Sequence, residues 1–262
     1  MDLGLTGKTA FVTAASKGLG KAAALELARH GARVAICARS DRVEAAAAEI
    51  RGATGATVYA LRGDVSNKDD VDRMVSSAIG YLGHLDIAVL NAGGPPPGGF
   101  LALGPQDWEA AVQLTVLSTV YLCYAVVPHM LERGEGSLVA TQSFAVKQPL
   151  DNLILSNSLR MAVIGLMKSL ANELGPKGIR VNTINPGYTW TERVEQLMTD
   201  RAERNRTSVA EEATRITRDI PLGRMGTVEE YGRAVAWLAS PAASYIHGHA
   251  LTIDGGAVRS AL

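Results

Sequence analysis

The stretch LSNSLRMAV, residues 155–163, carries a hydroxyl at Ser156 and a guanidinium at Arg160, four residues apart. On a helix that spacing puts both side chains on one face. An alcohol is a weak acid and a guanidinium stays charged at neutral pH, so neither is a ready proton donor. What the guanidinium can still do is hydrogen-bond a sugar hydroxyl and set a positive field. A second hydroxyl, Ser143, closes the apolar run GSLVATQS at 136–143.

A different chemistry is written near the start of the chain. TAASKGLG, residues 13–20, lies between an apolar run and an Ala/Leu-rich helical stretch. Glycines there let the backbone approach a pyrophosphate, and the following helix start offers N–H groups and a positive dipole end. The bland alternative is a tight turn with nothing bound, but the strand-turn-helix position favours a dinucleotide. An acid ending the second strand would hold a ribose 2′-hydroxyl; Ala38 stands there instead, followed by Arg39. Arg39 and Lys17 are two cations suited to a 2′-phosphate, which points to NADP(H). No metal is expected.

The elements that must position these groups alternate along the whole chain. Strand signals fall at 9–15, 32–38, 57–65, 86–94, 136–143, 179–187 and 250–256, with helical signals between them, notably 41–52, 67–82, 106–131 and 153–175. The strand runs are mostly apolar throughout rather than alternating, as expected for strands covered on both faces. This predicts an α/β, doubly wound parallel sheet of Rossmann type, one domain over residues 1–262. The Arg- and Glu-rich segment 191–219 breaks the rhythm and reads either as a solvated helix pair or as a substrate lid.

These motifs resemble the short-chain dehydrogenase/reductase family, most closely its 3-oxoacyl-acyl-carrier-protein reductases. The family's glycine motif matches Thr13, Ala14, Gly18 and Gly20, with Ser16, Lys17 and Leu19 between them; alanine at 14 replaces a glycine and fits if its φ is negative. Asn91, Ala92 and Gly93 match the family's NNAG, Asn91 steadying the central strands. Asp64, with Val65 beside it, stands at the adenine contact. NPGYTWT (185–191) matches PGxxxT, implying Pro186, Gly187 and Thr189 along the cofactor and Thr191 at the nicotinamide carboxamide. LTIDGG (251–256) resembles the terminal strand used in homotetramers.

The resemblance fails where the family keeps its catalytic groups. Ser143 aligns with the family serine, but Ser156 stands at the tyrosine position, Arg160 at the lysine and Thr115 at the asparagine. Arg160 remains suited to the nicotinamide ribose. The tyrosine's general-acid role typically contributes roughly 10²–10⁴ in rate. Substitute donors are Tyr188, for which lining the pocket is the plainer role, Lys147, better read as a solvated loop lysine, or a water held by Ser143 and Ser156. GGPPPGGF (93–100) is a stiffened loop beside the site. Three functions are compatible: an NADP(H)-dependent oxidoreductase on a carbonyl or alcohol with a remodelled site, a non-redox enzyme on the same fold, or a cofactor-binding sensor or inactive subunit. The first is favoured because both cofactor ends are retained.

Composition sets the setting. Lys+Arg and Asp+Glu balance at 26 each, so no global field draws the protein to nucleic acid or an anionic membrane. Cys37 and Cys123 lie in apolar runs, which makes a disulfide improbable. No signal pattern opens the chain, and no apolar stretch is read as approaching the roughly 20 residues that span a bilayer. A cytoplasmic homodimer or homotetramer acting on a small molecule is expected.

Overall fold

The computed structural model describes residues 2–260. Seven parallel strands form one sheet: β1 (Thr9–Val12), β2 (Arg33–Ala38), β3 (Val58–Arg62), β4 (Ile87–Leu90), β5 (Gly136–Thr141), β6 (Ile179–Pro186) and β7 (Ala250–Ile253). Their spatial order is β3-β2-β1-β4-β5-β6-β7. Strand order reverses between β1 and β4, which opens a crevice at their carboxyl ends. Most strands are shorter than the apolar runs that announced them. Residues such as 13–15, 63–65 and 91–94 leave the ladder and form the crevice walls instead.

Helices cover both faces. Helices α1 (Gly18–Arg29), α2 (Arg42–Thr54) and α9 (Val228–Ala239) bury Leu27, Ile50 and Val235 against one. Helices α3 (Lys68–Leu82), α4 (Pro105–Val112), α5 (Ser118–Arg133) and α6 (Ile154–Leu174) belong to the other, where α3, α5 and α6 bury Met74, Val126 and Met167. Burial of each large side chain of this kind contributes about 1.5–3 kcal/mol. Helices α7 (Glu192–Asn205) and α8 (Val209–Arg218) fill the segment 191–219 and enclose a small core of their own around Met198 and Ile216.

One expectation is corrected here. Helix α4, a π-helical turn at Gln113–Leu117 and α5 run on as 29 residues, Pro105–Arg133, long and apolar enough by length and composition to cross a bilayer. Its charged residues, Asp107 and Glu109 at one end and Glu132 and Arg133 at the other, leave the central stretch more apolar than its ends suggest. In the fold its inner side, Leu122, Val126 and Met130, lies in the sheet core.

Candidate active site

A cleft of about 660 Å³ lies over the carboxyl ends of the central strands. The loop after β1 forms one wall. Helix α1 starts at Gly18 with no acid in its first turn and no side chain capping its N–H groups, so that positive end stays open to an anion. Gly20 cannot carry a side chain: a Cβ would stand 2.5 Å from the Ala14 carbonyl oxygen and 2.9 Å from Asn91 Nδ2. Asn91 ties this loop to β4 by donating to the Thr13 carbonyl at 3.3 Å. A Cβ on Gly93 would meet nothing within 4 Å, so the backbone there borders open space. These features fit a dinucleotide drawn across the switch point.

Ala14 overturns the expectation of a negative φ, for its φ is +49°. A left-handed alanine costs roughly 1–2 kcal/mol. The conformation is imposed from both sides, by the Asn91 amide 3.5 Å from the Ala14 carbonyl and by the Ala15 N–H bonded to the Cys37 carbonyl at 2.9 Å.

The cleft brings together Ala14, Ser16, Lys17, Gly18, Leu19, Gly20, Arg39, Asp64, Val65, Asn91, Ala92, Gly93, Pro186, Gly187, Thr189 and Thr191, together with Ser143, Ser156, Arg160 and Tyr188. Two expected residues do not line it. Thr13 is buried, its hydroxyl donating to the Asn91 carbonyl at 2.7 Å, and so fastens β1 to β4. Thr115 is buried inside the π-helical turn, and its hydroxyl has no partner among the described residues. Lys147 is exposed on the surface, away from the cleft lining.

The end beside Arg39 holds more charge than the sequence suggested. Asp64 comes within 3.8 Å of Arg39, while Glu192, at the start of α7, pairs with Lys17 and lies 4.0 Å from Arg42. Three cations against two acids still leave a positive balance.

At the opposite end, α6 sets Ser156 and Arg160 on one face as the spacing required. Arg160 Nε donates to Ser156 Oγ at 3.0 Å, and Nη1 donates to the Gln142 carbonyl at 3.2 Å. No carboxylate pairs with Arg160 among the described residues. Desolvation pushes its guanidinium down from 12.5 to about 10, opposed by the charge interaction with the Tyr231 phenol. It therefore remains a cation at neutral pH. Because Ser156 Oγ accepts from Arg160, its own O–H is left to donate. Ser143 is arranged alike: its Oγ accepts from the Ala145 N–H at 3.2 Å. The cleft thus holds two hydroxyl donors and a fixed cation, a set that stabilises an oxygen gaining negative charge.

Neither nearby tyrosine occupies the vacated role in the way the family's does. Tyr188 packs its ring edge-on against Phe144, centroids 5.3 Å apart, as part of the wall. Tyr231 is fully buried on α9, shares a 2.6 Å hydrogen bond with the Thr141 hydroxyl, and burial pushes its phenol up. Sequence reasoning missed Arg42, Gln142, Glu192 and Arg193, which also line the cleft. Their only signal was membership of the segments flanking recognised motifs.

The comparisons agree with this architecture. A family model described as enoyl-(acyl carrier protein) reductase matches residues 13–258. The chain is 36% identical over 253 residues to oxidoreductase UcpA of Salmonella typhimurium, covering 96% of this chain and 95% of that one. It is 34% identical to a 3-oxoacyl-[acyl-carrier-protein] reductase of Synechocystis, covering 97% and 98%. Among solved structures, L-sorbose reductase from Gluconobacter frateurii, complexed with NADPH and L-sorbose, superposes with a TM-score of 0.94 at 30% identity, covering 99% and 100%. Sheet order, glycine loop and full-length similarity make this chain a member of the short-chain dehydrogenase/reductase family of oxidoreductases.

Proposed function

We propose that the protein is an NADP(H)-dependent oxidoreductase acting on a carbonyl or alcohol substrate, with Ser156 and Arg160 in place of the family's tyrosine and lysine. The observation that carries this reading is the continuity of the cleft. One cavity joins the open helix start and the cations Lys17, Arg39 and Arg42 to the Ser143–Ser156–Arg160 set. Ser16, Lys17 and the α1 N–H groups hold the pyrophosphate, Arg39 the 2′-phosphate, and Arg160 and Thr191 the nicotinamide side. Thr191 is prepared for this: its oxygen accepts from the Val194 N–H at 3.2 Å, leaving its O–H to donate.

NADPH, when bound, supplies a hydride to the carbonyl carbon. The substrate oxygen, gaining the electron pair of the broken C=O π bond, is held by the Ser143 and Ser156 hydroxyls. Arg160, bonded to Ser156 Oγ, stabilises the charge and makes that hydroxyl a better donor. A proton drawn from solvent through Ser156 completes the alcohol. Helices α7 and α8 act as a lid over this end.

Titration with NADPH and NADH, followed by NADPH oxidation against a carbonyl panel, tests the reading. NADPH is expected to bind more tightly, and Arg39→Ala to reduce that preference about ten- to hundredfold through loss of a charge-assisted bond. Equal affinity for both nucleotides would refute the cofactor assignment, and no oxidation of NADPH would favour a sensor. The protein acts in the cytoplasm as a homodimer or homotetramer. Exposed Tyr124 on α5 and Met161 on α6 support an assembly surface there. Light scattering reporting a 27.6 kDa monomer would count against it.

A further inference from the structure

The charged residues lining the cleft fall into two sets. Lys17, Arg39 and Arg42 are all within ion-pair distance of Asp64 or Glu192. The other two, Arg160 and Arg193, have no carboxylate partner among the described residues, and Asp64 and Glu192 are the only acids on the lining. Both unpaired cations reach the same loop. Arg193 Nη2 donates to the Pro95 carbonyl at 3.4 Å. Arg160 Nη2 lies 3.8 Å from the point where a Cβ on Gly94 would stand. An isolated surface arginine means little, but two converge here on adjacent residues of one loop, inside a cleft whose two acids, Asp64 and Glu192, pair with other cations, and they form a positive field. Arg193 spends one donor on Pro95 and keeps the rest of a planar fork, which matches a carboxylate.

We propose that the substrate carries a carboxylate, gripped by Arg193 of the lid against the Gly94–Pro95 loop while Arg160 faces the reacting oxygen. Arg193 is then the residue that selects substrate charge. For the reaction this rests on the oxidoreductase reading above; for binding it does not.

The experiment uses the full chain saturated with NADP⁺ and two matched pairs of probes: 4-oxopentanoate and 2-oxo-2-phenylacetate, each with its methyl ester. Calorimetry gives binding, and NADPH oxidation gives turnover. The acids are expected to bind about ten- to hundredfold more tightly than the esters, as one charge-assisted contact implies. Added salt should weaken the acids alone. In Arg193→Gln the acid-to-ester ratio should fall toward one with the NADPH Kd unchanged, and Arg193→Lys should recover part of it. Equal binding of acid and ester, or no binding of any acid, overturns the proposal. So does an Arg193→Gln variant that loses NADPH affinity while keeping the ratio, which would place Arg193 on the cofactor's phosphates. Tighter binding of dihydroxyacetone phosphate than of either acid would overturn the choice of carboxylate. Acid-selective binding without NADPH oxidation would uphold this proposal and refute the reductase reading.

Discussion

Arg160 and Arg180 are both desolvated guanidinium groups, both lack a carboxylate partner among the described residues, and desolvation lowers the pKa of each. They differ in their acceptors. Arg180, on β6, donates to the carbonyls of Leu238, Ala239, Ser240, Ala243 and Ile246 and to the Ser137 hydroxyl, at 2.8–3.3 Å. It closes the negative end of α9 and the turn beyond it. Arg160 has two hydrogen bonds, to Ser156 and Gln142, and an edge turned to the cleft. A cation whose donors are all spent inside the protein is structural. One left with donors beside a cavity is available for a ligand.

Substitutions at the two positions test that distinction. Arg180→Met strands the Leu238 and Ala239 carbonyls, while those of Ser240, Ala243 and Ile246 keep the Ala243 N–H, the Ile246 N–H and Asn182 Nδ2 as donors. With each buried unsatisfied group costing about 1–3 kcal/mol, unfolding stability should fall by about 2 kcal/mol or more in a urea titration. A loss below about 1 kcal/mol would break the comparison on its structural side. Arg160→Met should do the opposite: stability unchanged or higher, because a poorly compensated buried charge is removed, and catalysis lower by roughly 10²–10³. A large loss of stability there would make Arg160 structural as well.

Titration sharpens the same contrast. The folded Arg160 guanidinium titrates at about 10, below its ordinary 12.5, so the folded state releases this proton first. Its contribution to stability therefore rises with pH between those values, while activity that needs the cation declines above about pH 10. A rate profile flat to pH 11 would remove the charge from the mechanism.

The next expected effect concerns whether the site decayed or was rebuilt. Combining Thr115→Asn, Ser156→Tyr and Arg160→Lys restores the family's groups. Because the Arg160–Ser156 hydrogen bond organises the present site, kcat/KM on the natural substrate should drop about tenfold or more, near-attack geometry tolerating little displacement. A clear gain would mark a decayed reductase. The smallest effect is Ala14→Gly, which relieves the left-handed alanine and should add about 0.5 kcal/mol in thermal or urea unfolding. A loss would mean that the Ala14 methyl contributes packing that outweighs its strain.

The sequence made the sheet and most of the cleft legible because each rests on local signals. A glycine loop between strand and helix, a serine at a strand end, and a hydroxyl four residues before a cation can each be read from neighbours. What escaped was set by distant chain. The positive φ of Ala14 is imposed by Asn91 and Cys37, and Arg193 acquires meaning only once α7 folds back onto Pro95. Arg180 gave no sign of its role, since nothing in RVNTINPG says that a helix ending some 60 residues later will need its N–H groups. The apolar reach of 105–133 was underread because its charges cluster at its ends.

The β7 edge of the sheet has its own consequence. Asn185 on β6 is paired in register with Thr252 on β7, and Gln142 extends β5 beside them. Asn185 Nδ2 and Oδ1, Thr252 Oγ1, Gln142 Oε1 and nearby Thr183 Oγ1 are all buried with no hydrogen-bond partner among the described residues. Such groups subtract from local stability, and β7 is a four-residue edge strand whose residues are only half-buried. Hydrogen exchange should therefore release the amides of β7 well before those of β1 and β4, in a partial opening that peels the terminal strand while the nucleotide crevice stays closed.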